Sequence, residues 1–228
     1  AHTRKDGAWQ SLSWGAYVQL VRRVARSLIA LGVQPGHATC ILGYNRLEWS
    51  AFALGTQAAA GAPAGIYTTC SPTEVQYIIH HAEATVVLVE DAAQFAKIAQ
   101  ERDKLPNLRH VVLMQGHRVD DPLALTWDQF LARGDATPDT AVDERVRDIS
   151  PDATATYIYT SGTTGPPKGV MLSHHNLAWT AKAARDMNGL TSSDITLSYL
   201  PLSHIAEQMF TVHAPITTGG RVYFAESI

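Results

Sequence analysis

The sequence has little of several features that mark whole classes of protein. It carries 18 Lys and Arg against 21 Asp and Glu, a net charge of -3, so it lacks the basic excess typical of a nucleic-acid-binding domain. Its two cysteines, Cys40 and Cys70, have no Cys or His partner at metal-site spacing. A disulfide framework or a zinc site is therefore disfavoured, and a reducing cytosol fits best.

Long apolar runs are also missing. Even the Ala-rich stretch Ala51–Ala64 contains Gln57 and two glycines, and a bilayer-crossing helix needs roughly 20 apolar residues. We expect no transmembrane segment, while peripheral membrane contact of a full-length protein stays open. The first seven residues lack an initiator Met and an apolar signal core, so we expect the natural amino terminus to lie upstream.

What the sequence does contain is a regular alternation of apolar strands and amphipathic helices. The spacing of Tyr17, Val24 and Leu28 predicts a helix over Trp14–Leu31 that Gly32 ends. The predicted strands are 38–42, 64–67, 85–89, 110–114, 155–159, 169–172, 196–199 and 221–224. The other predicted helices are 46–60, 72–82, 92–102, one from near His174 and one between the last two strands. This order predicts an α/β fold with two mainly parallel sheets flanked by helices.

The chain turns polar and acidic between Gly134 and Pro151. Such composition is typical of a surface connection between folding units. We therefore predict a first α/β subdomain at residues 1–134, a connection at 135–150, and the start of a second α/β subdomain at 151–228.

The most informative segment is Tyr159–Gly169, which combines hydroxyl side chains, glycines and one lysine between two apolar strands. The glycines let the backbone bring N–H groups close to an anion, the hydroxyls can donate hydrogen bonds, and Lys168 adds positive charge. It is not a Walker A loop, because Lys168 leads into the strand Val170–Leu172 and not into a helix. A flexible Gly/Thr linker is the alternative, but linkers are rarely bracketed by such apolar strands.

Together with Val170–His174, this loop resembles the signature of the adenylate-forming enzymes, which include acyl-CoA synthetases, luciferases and the adenylation domains of peptide synthetases. The resemblance implies that the loop holds the β- and γ-phosphates of ATP while a carboxylate attacks the α-phosphorus. Pyrophosphate then leaves and an acyl-adenylate remains. The residues implied to bind phosphate are Thr160, Ser161, Gly162, Thr163, Thr164, Gly165 and Lys168.

A second match is Leu200–Gln208, which resembles the next motif of the family, where an aromatic residue or His closes over the acyl and phosphate site. The resemblance makes His204 a gate of the acyl-adenylate site, although a lone His after a strand more often packs or lies at the surface. Asn45–Trp49 and Gly65–Thr69 resemble long-chain acyl-CoA synthetases, including the bubblegum type. Their aromatics also suit a core and Asn45 a turn, so these residues receive no catalytic role.

The resemblance implies a long-chain fatty acid–CoA ligase that converts ATP, a fatty acid and CoA to acyl-CoA, AMP and pyrophosphate, with Mg²⁺ neutralising the phosphates. It stops before the family's adenine, magnesium and ribose segments. We therefore assign no catalytic residue in this chain and expect the catalytic lysine, which is not Lys168, beyond Ile228. Two alternatives remain: another adenylate-forming activity, amino-acid adenylating or luciferase-like, and a truncated nucleotide-binding module without turnover.

Overall fold

The structure, a computed structural model, describes residues 1–5, 7–160 and 165–225. Its strands are β1 (His2–Lys5), β2 (Ala8–Ser11), β3 (Ala38–Leu42), β4 (Ala62–Ile66), β5 (Val86–Val89), β6 (His110–Leu113), β7 (Ala124–Thr126), β8 (Thr154–Thr160), β9 (Lys168–Ser173), β10 (Ile195–Ser198) and β11 (Arg221–Phe224). Its α-helices are α1 (Trp14–Ala30), α2 (Leu47–Ala58), α3 (Pro72–His81), α4 (Ala92–Gln100), α5 (Trp127–Arg133), α6 (Asp139–Arg147), α7 (His174–Asn188), α8 (Ile205–Gln208) and α9 (Ala214–Thr218). A 3₁₀ turn covers Arg102–Lys104, and a π-helical segment, Met209–His213, joins α8 to α9.

A seven-stranded sheet in the order β7-β6-β5-β3-β4-β8-β9 forms the centre of the described part. All its strand pairs are parallel except β8 with β9. Its central strands are buried on both faces, which is why they read as continuous apolar runs. Along β5, Val86 and Leu88 pack in the cluster that contains α1 and α2, whereas Val87 and Val89 pack in the cluster that contains α3 and α4. The predicted α/β fold is confirmed.

Local sequence signals set the ends of the first long helix. The Ser13 side chain accepts a hydrogen bond from the Ala16 backbone N–H at 3.2 Å and so caps the first turn of α1. After Leu31, Gly32 takes a φ of +85°, a left-handed conformation that glycine adopts without steric cost. The predicted end at Gly32 is confirmed, and every predicted strand and helix lies within two residues of an observed one.

The second sheet has the order β10-β11-β1-β2, which joins the start of the chain to its last described strand. Strand β1 pairs in parallel with β11, with His2 opposite Tyr223, and antiparallel with β2. Val222 and Phe224 of β11 point into the same core cluster as α1 and α2. The sequence pattern predicted β10 and β11 but missed the short polar strands β1 and β2.

The predicted connection at 135–150 is built into the fold more firmly than its polar composition indicated. It contains α6, where Val142 is buried and Arg145 donates hydrogen bonds to the backbone oxygens of Val33 and Ala59 at 2.7 and 2.9 Å. Strands β8 and β9, which follow it, belong to the same sheet as β3–β7. The sheets therefore do not divide at this segment. Whether 1–134 and 151–228 fold as separate units stays a prediction.

Among the residues that the structure describes, no helix combines the length and the apolar character needed to cross a bilayer.

Candidate functional site

Three parallel strands, β3, β4 and β8, end at one edge of the large sheet. The segments that leave this edge are Gly43–Arg46 after β3, Tyr67–Cys70 after β4, and the predicted phosphate loop after Thr160. In open parallel sheets, ligands bind outside the carboxyl ends of the strands. The sheet therefore directs the predicted loop to the edge where a ligand site is expected.

A cavity of about 570 Å³ opens at this edge. Its walls come from the segments that follow β3, β4, β10 and β11: Tyr44, Tyr67, Tyr199, Ser203 and Ala225 all line it. The volume lies within the roughly 300–1,000 Å³ typical of small-molecule sites, and aromatic walls with a few polar groups are common in them. A second cavity of about 540 Å³ lies beside the amino end of β3 and along the face of β8 and β9, away from this edge.

The two ends of the predicted phosphate loop lie side by side. Thr160, the last residue of β8, is directly opposite Lys168, the first residue of β9, and both are exposed. Between them, Gly165 has a φ of +97°, where a side chain would be strained. The four predicted ligands between Thr160 and Gly165, namely Ser161, Gly162, Thr163 and Thr164, lie outside the described residues. Phosphate binding by all seven residues stays a prediction.

The base of this loop is held by an aromatic contact across the strands. A Cβ on Gly169 would lie 3.2 Å from Cζ of Tyr159, so the glycine allows the ring to lie close over β9. The Tyr159 hydroxyl is 2.9 Å from Nδ1 of His81 in α3. Burial raises the pKa of Tyr159, so the phenol stays protonated. This pair anchors the strands from which the loop emerges.

The predicted gate residue His204 lies at the amino end of α8, directly after the cavity-lining Ser203. Its side chain is exposed, and its Nδ1 accepts a hydrogen bond from the Ala206 backbone N–H at 3.2 Å. A neutral imidazole with Nδ1 as acceptor carries its proton on Nε2. His204 could therefore donate from Nε2 to an oxygen of a bound ligand. Its role as a gate stays a prediction.

The segment that precedes His204 packs directly on the backbone of β4. A Cβ on Gly65 would lie 2.7 Å from Cα of Ser203 and 3.2 Å from Cζ2 of Trp49. Only glycine at this position allows so close an approach. Trp49 is 1% exposed, so the interpretation of this residue as a core aromatic is confirmed.

Sequence reasoning missed a polar network on the other side of the same segment. Asn45, regarded as a turn residue, contacts Ser198, Leu200 and Leu202 through its side chain. The buried carboxylate of Glu207 joins the same network. The signal that could have drawn attention to it is the Glu-Gln pair in the otherwise apolar run after His204.

Within residues 1–5, 7–160 and 165–225, no three His, Cys, Asp or Glu side chains come close enough together to hold a metal ion. Hydroxyls and an ammonium, such as those of Thr160 and Lys168, suit a phosphate.

Comparison with known proteins identifies the family. A sequence profile described as AMP-binding enzyme matches residues 1–228. The chain belongs to the AMP-binding enzyme family. This membership confirms the resemblance seen in the loop and in Leu200–Gln208.

Curated AMP-binding relatives narrow the likeness further. The chain is 38% identical over 229 residues to the long-chain-fatty-acid–CoA ligase ACSBG2 of Xenopus laevis, a match that covers 98% of this chain and 31% of that protein. It is 36% identical over 228 residues to the long-chain-fatty-acid–CoA ligase ACSBG1 of Homo sapiens, covering 98% of this chain and 32% of that protein. The chain thus spans about a third of the length of the curated relatives it matches.

Solved structures share the fold. ATP-bound MatB from Rhodopseudomonas palustris has a TM-score of 0.78 and 25% identity, over 96% of this chain and 41% of that one. The anthranilate CoA ligase AuaEII, in complex with anthranoyl-AMP, has a TM-score of 0.82 and 22% identity, over 99% of this chain and 42% of that one. At this identity the second likeness is evidence for the fold alone.

Proposed function

We propose that the full-length protein is an AMP-forming long-chain fatty acid–CoA ligase of the bubblegum type, and that this chain provides the ATP-phosphate side of its active site. The observation that carries the proposal is the Thr160–Lys168 loop, with its hydroxyls, glycines and cation, at the sheet edge where the 570 Å³ cavity opens. The relatives named as long-chain-fatty-acid–CoA ligases support the choice of substrate.

In the first half-reaction, an oxygen of the fatty acid carboxylate attacks the α-phosphorus of ATP, and the bond to the bridging β-oxygen breaks. The loop N–H groups and hydroxyls, with Lys168, bind the β- and γ-phosphates that leave as pyrophosphate. Their charge-assisted hydrogen bonds stabilise the negative charge that grows on the leaving group. His204, donating from Nε2, would cover the acyl-adenylate.

In the second half-reaction, the CoA thiolate attacks the acyl carbonyl carbon and AMP leaves. Mg²⁺ supplies charge neutralisation on the phosphates when it is bound. The residues of this chain that we assign to the reaction act on the phosphates and the acyl-adenylate. Cys40 is buried and Cys70 is partly buried, and both are free thiols, which suits a reducing cytosol. There the whole enzyme would contact a membrane surface, where long-chain fatty acids partition.

Two other functions would use the same loop. An enzyme that adenylates amino acids or a luciferase-like oxidase would share Thr160–Gly169, and a nucleotide-binding module without turnover would need only the phosphate contacts. The likeness of the Gly65–Thr69 and Leu200–Gln208 segments to long-chain acyl-CoA synthetases favours the fatty acid ligase.

The test is pyrophosphate exchange into ATP by the purified full-length protein, with palmitate and with a mixture of amino acids as carboxylate donors. We expect exchange with palmitate and formation of palmitoyl-CoA when CoA is added. Exchange with amino acids alone would assign the protein to peptide-type adenylation. ATP binding without any exchange would assign it to the binding-module class.

A further inference from the structure

A two-point contact between Asn45 and the segment Leu200–His204 carries an inference that rests on the proposed function. The Asn45 Nδ2 donates to the backbone oxygen of Leu200 at 2.6 Å, and its Oδ1 accepts from the backbone N–H of Leu202 at 3.0 Å. One side chain thus binds an acceptor and a donor two residues apart, as a neighbouring strand would. The contact joins parts of the chain separated by more than 150 residues.

The remaining capacity of the Asn45 amide is also used by the protein. A carboxamide has two N–H donors, and the second shortest contact of Nδ2 is to Oγ of Ser198 at 2.8 Å. Both N–H groups are thereby committed to protein acceptors although Asn45 lines the cavity. Asn45 therefore suits holding the cavity wall better than binding a substrate.

Glu207 holds the same segment from within the α8 turn. Its Oε1 accepts hydrogen bonds from Oγ of Ser198 at 2.8 Å and from the backbone N–H of Tyr199 at 3.2 Å. Thr211 donates to the same oxygen at 2.6 Å. Glu207 is 4% exposed as a residue, so these donors replace the water that its carboxylate gives up on burial. Together with Gly65 beneath Ser203, these contacts fix Leu200–His204 on several sides.

From this geometry we propose that Asn45 and Glu207 are positioning residues for His204: they hold the backbone of Leu200–Leu202 so that the imidazole, directly after the cavity-lining Ser203, keeps one orientation. Neither side chain takes part in the chemistry itself. Because a displacement of about 1 Å at an active site can cost roughly 100-fold in rate, loss of the clamp should lower the rate of adenylate formation strongly.

The experiment compares Asn45→Ala, His204→Ala and the double variant in the full-length protein, with pyrophosphate exchange on palmitate as the assay. We expect Asn45→Ala to lower kcat by about 10–100-fold with the KM for ATP nearly unchanged. The double variant should be no slower than His204→Ala alone, because both changes act through the same imidazole. A merely structural role of Asn45 would instead make the two losses multiply.

Gln57→Ala is the matched control. Gln57 also uses a carboxamide to join α2 to the second half of the chain, donating to the Ala155 backbone oxygen at 3.0 Å, but it does so at the start of β8, away from the cavity. We expect Gln57→Ala to shift thermal unfolding as much as Asn45→Ala while exchange stays within about two-fold of wild type. If Asn45→Ala is too unstable to assay, Asn45→Ser keeps a short hydroxyl in place and should show the same non-multiplying loss.

The outcomes separate this inference from the function it rests on. Wild-type protein without fatty-acid-dependent exchange would overturn the proposed function. An active wild type with a slow His204→Ala, but with Asn45→Ala no slower than Gln57→Ala, would overturn only the positioning role. An unaffected His204→Ala, or losses that multiply in the double variant, would overturn it as well.

Discussion

The close approach of Ser203 to the backbone of β4 gives the sharpest test of how the site is assembled. In Gly65→Ala the new Cβ would start 2.7 Å from Cα of Ser203. A comfortable carbon–carbon contact needs about 3.5 Å, so the Ser203 backbone has to retreat by about 0.8 Å. His204 follows directly and must move with it.

Such overpacking costs about 1–3 kcal/mol of unfolding free energy. The same displacement, carried to His204, should lower the rate of palmitate-dependent pyrophosphate exchange by about 10–100-fold. Because Gly65 keeps an ordinary strand conformation with no positive φ, the effect comes from the contact and not from backbone strain.

Gly61→Ala provides the comparison. Its Cβ would start 2.8 Å from the backbone oxygen of His37, at the opposite end of the same strand. We expect a similar loss in unfolding free energy, measured by urea denaturation of full-length protein, with exchange by the folded protein close to wild type. If Gly65→Ala and Gly61→Ala lose exchange equally, the packing of Ser203 on β4 has no special part in the site, and the reasoning is refuted.

Three further predictions concern the loop, a buried imidazole and the isolated chain. Replacing Thr163 and Thr164 together by Val keeps the side-chain shape but removes two hydrogen-bond donors, each worth about 1.5–3 kcal/mol to a charged phosphate. Pyrophosphate exchange should therefore fall by a few orders of magnitude while the melting temperature barely changes. Exchange close to wild type would instead show that the loop is a linker. Burial, assisted by the nearby His174, lowers the pKa of His213 to about 4. The unfolded chain takes up this proton near pH 6.5, so the contribution to the free energy of unfolding is fully present above that pH and is lost as the pH falls toward 4. The loss is at most about 2 kcal/mol at pH 5. His213→Gln should flatten this part of the pH profile measured by urea denaturation. A polypeptide of residues 1–228 alone should form no palmitoyl-CoA, because the resemblance places the adenine, ribose and catalytic-lysine contacts elsewhere; ATP-dependent formation by it would show that the active site is misassigned.

Local sequence predicted the helices and strands whose formation depends mainly on their own residues. Strands such as Val86–Val89 are buried on both faces and therefore read as apolar runs, and Gly32 ends its helix by its own conformational freedom. The short strand His2–Lys5 is polar, and it pairs with the adjacent strand Ala8–Ser11 and with the distant strand Arg221–Phe224, so it lacks the apolar pattern from which the buried strands were predicted. The helix Asp139–Arg147 was read as a connection for the same reason, because few of its side chains are buried.

The candidate site also has parts that local sequence predicts and parts that depend on the fold. The loop composition and the motif around His204 are contiguous, so the sequence displays them. The role of the Asn45 amide depends on backbone groups of Leu200 and Leu202, which only the fold brings close to it. Residue spacing and periodicity do not predict a contact of this kind. The same holds for Gly65, whose need for glycine arises from Ser203.

The pairing of His2–Lys5 with Arg221–Phe224 bears on how the protein is made. All the described strands of the large sheet have been synthesised by residue 173, but the described strands of the smaller sheet need residue 224. At about 5–20 residues per second, the hairpin formed by His2–Ser11 waits roughly 10–40 s on the ribosome with an unpaired edge. During that interval Trp9, which contacts Tyr223 edge-on in the folded protein, and the edge of His2–Lys5 that later pairs with Arg221–Phe224 are open to other chains. Chaperone binding to this hairpin would therefore matter most at the stage when the large sheet has already folded.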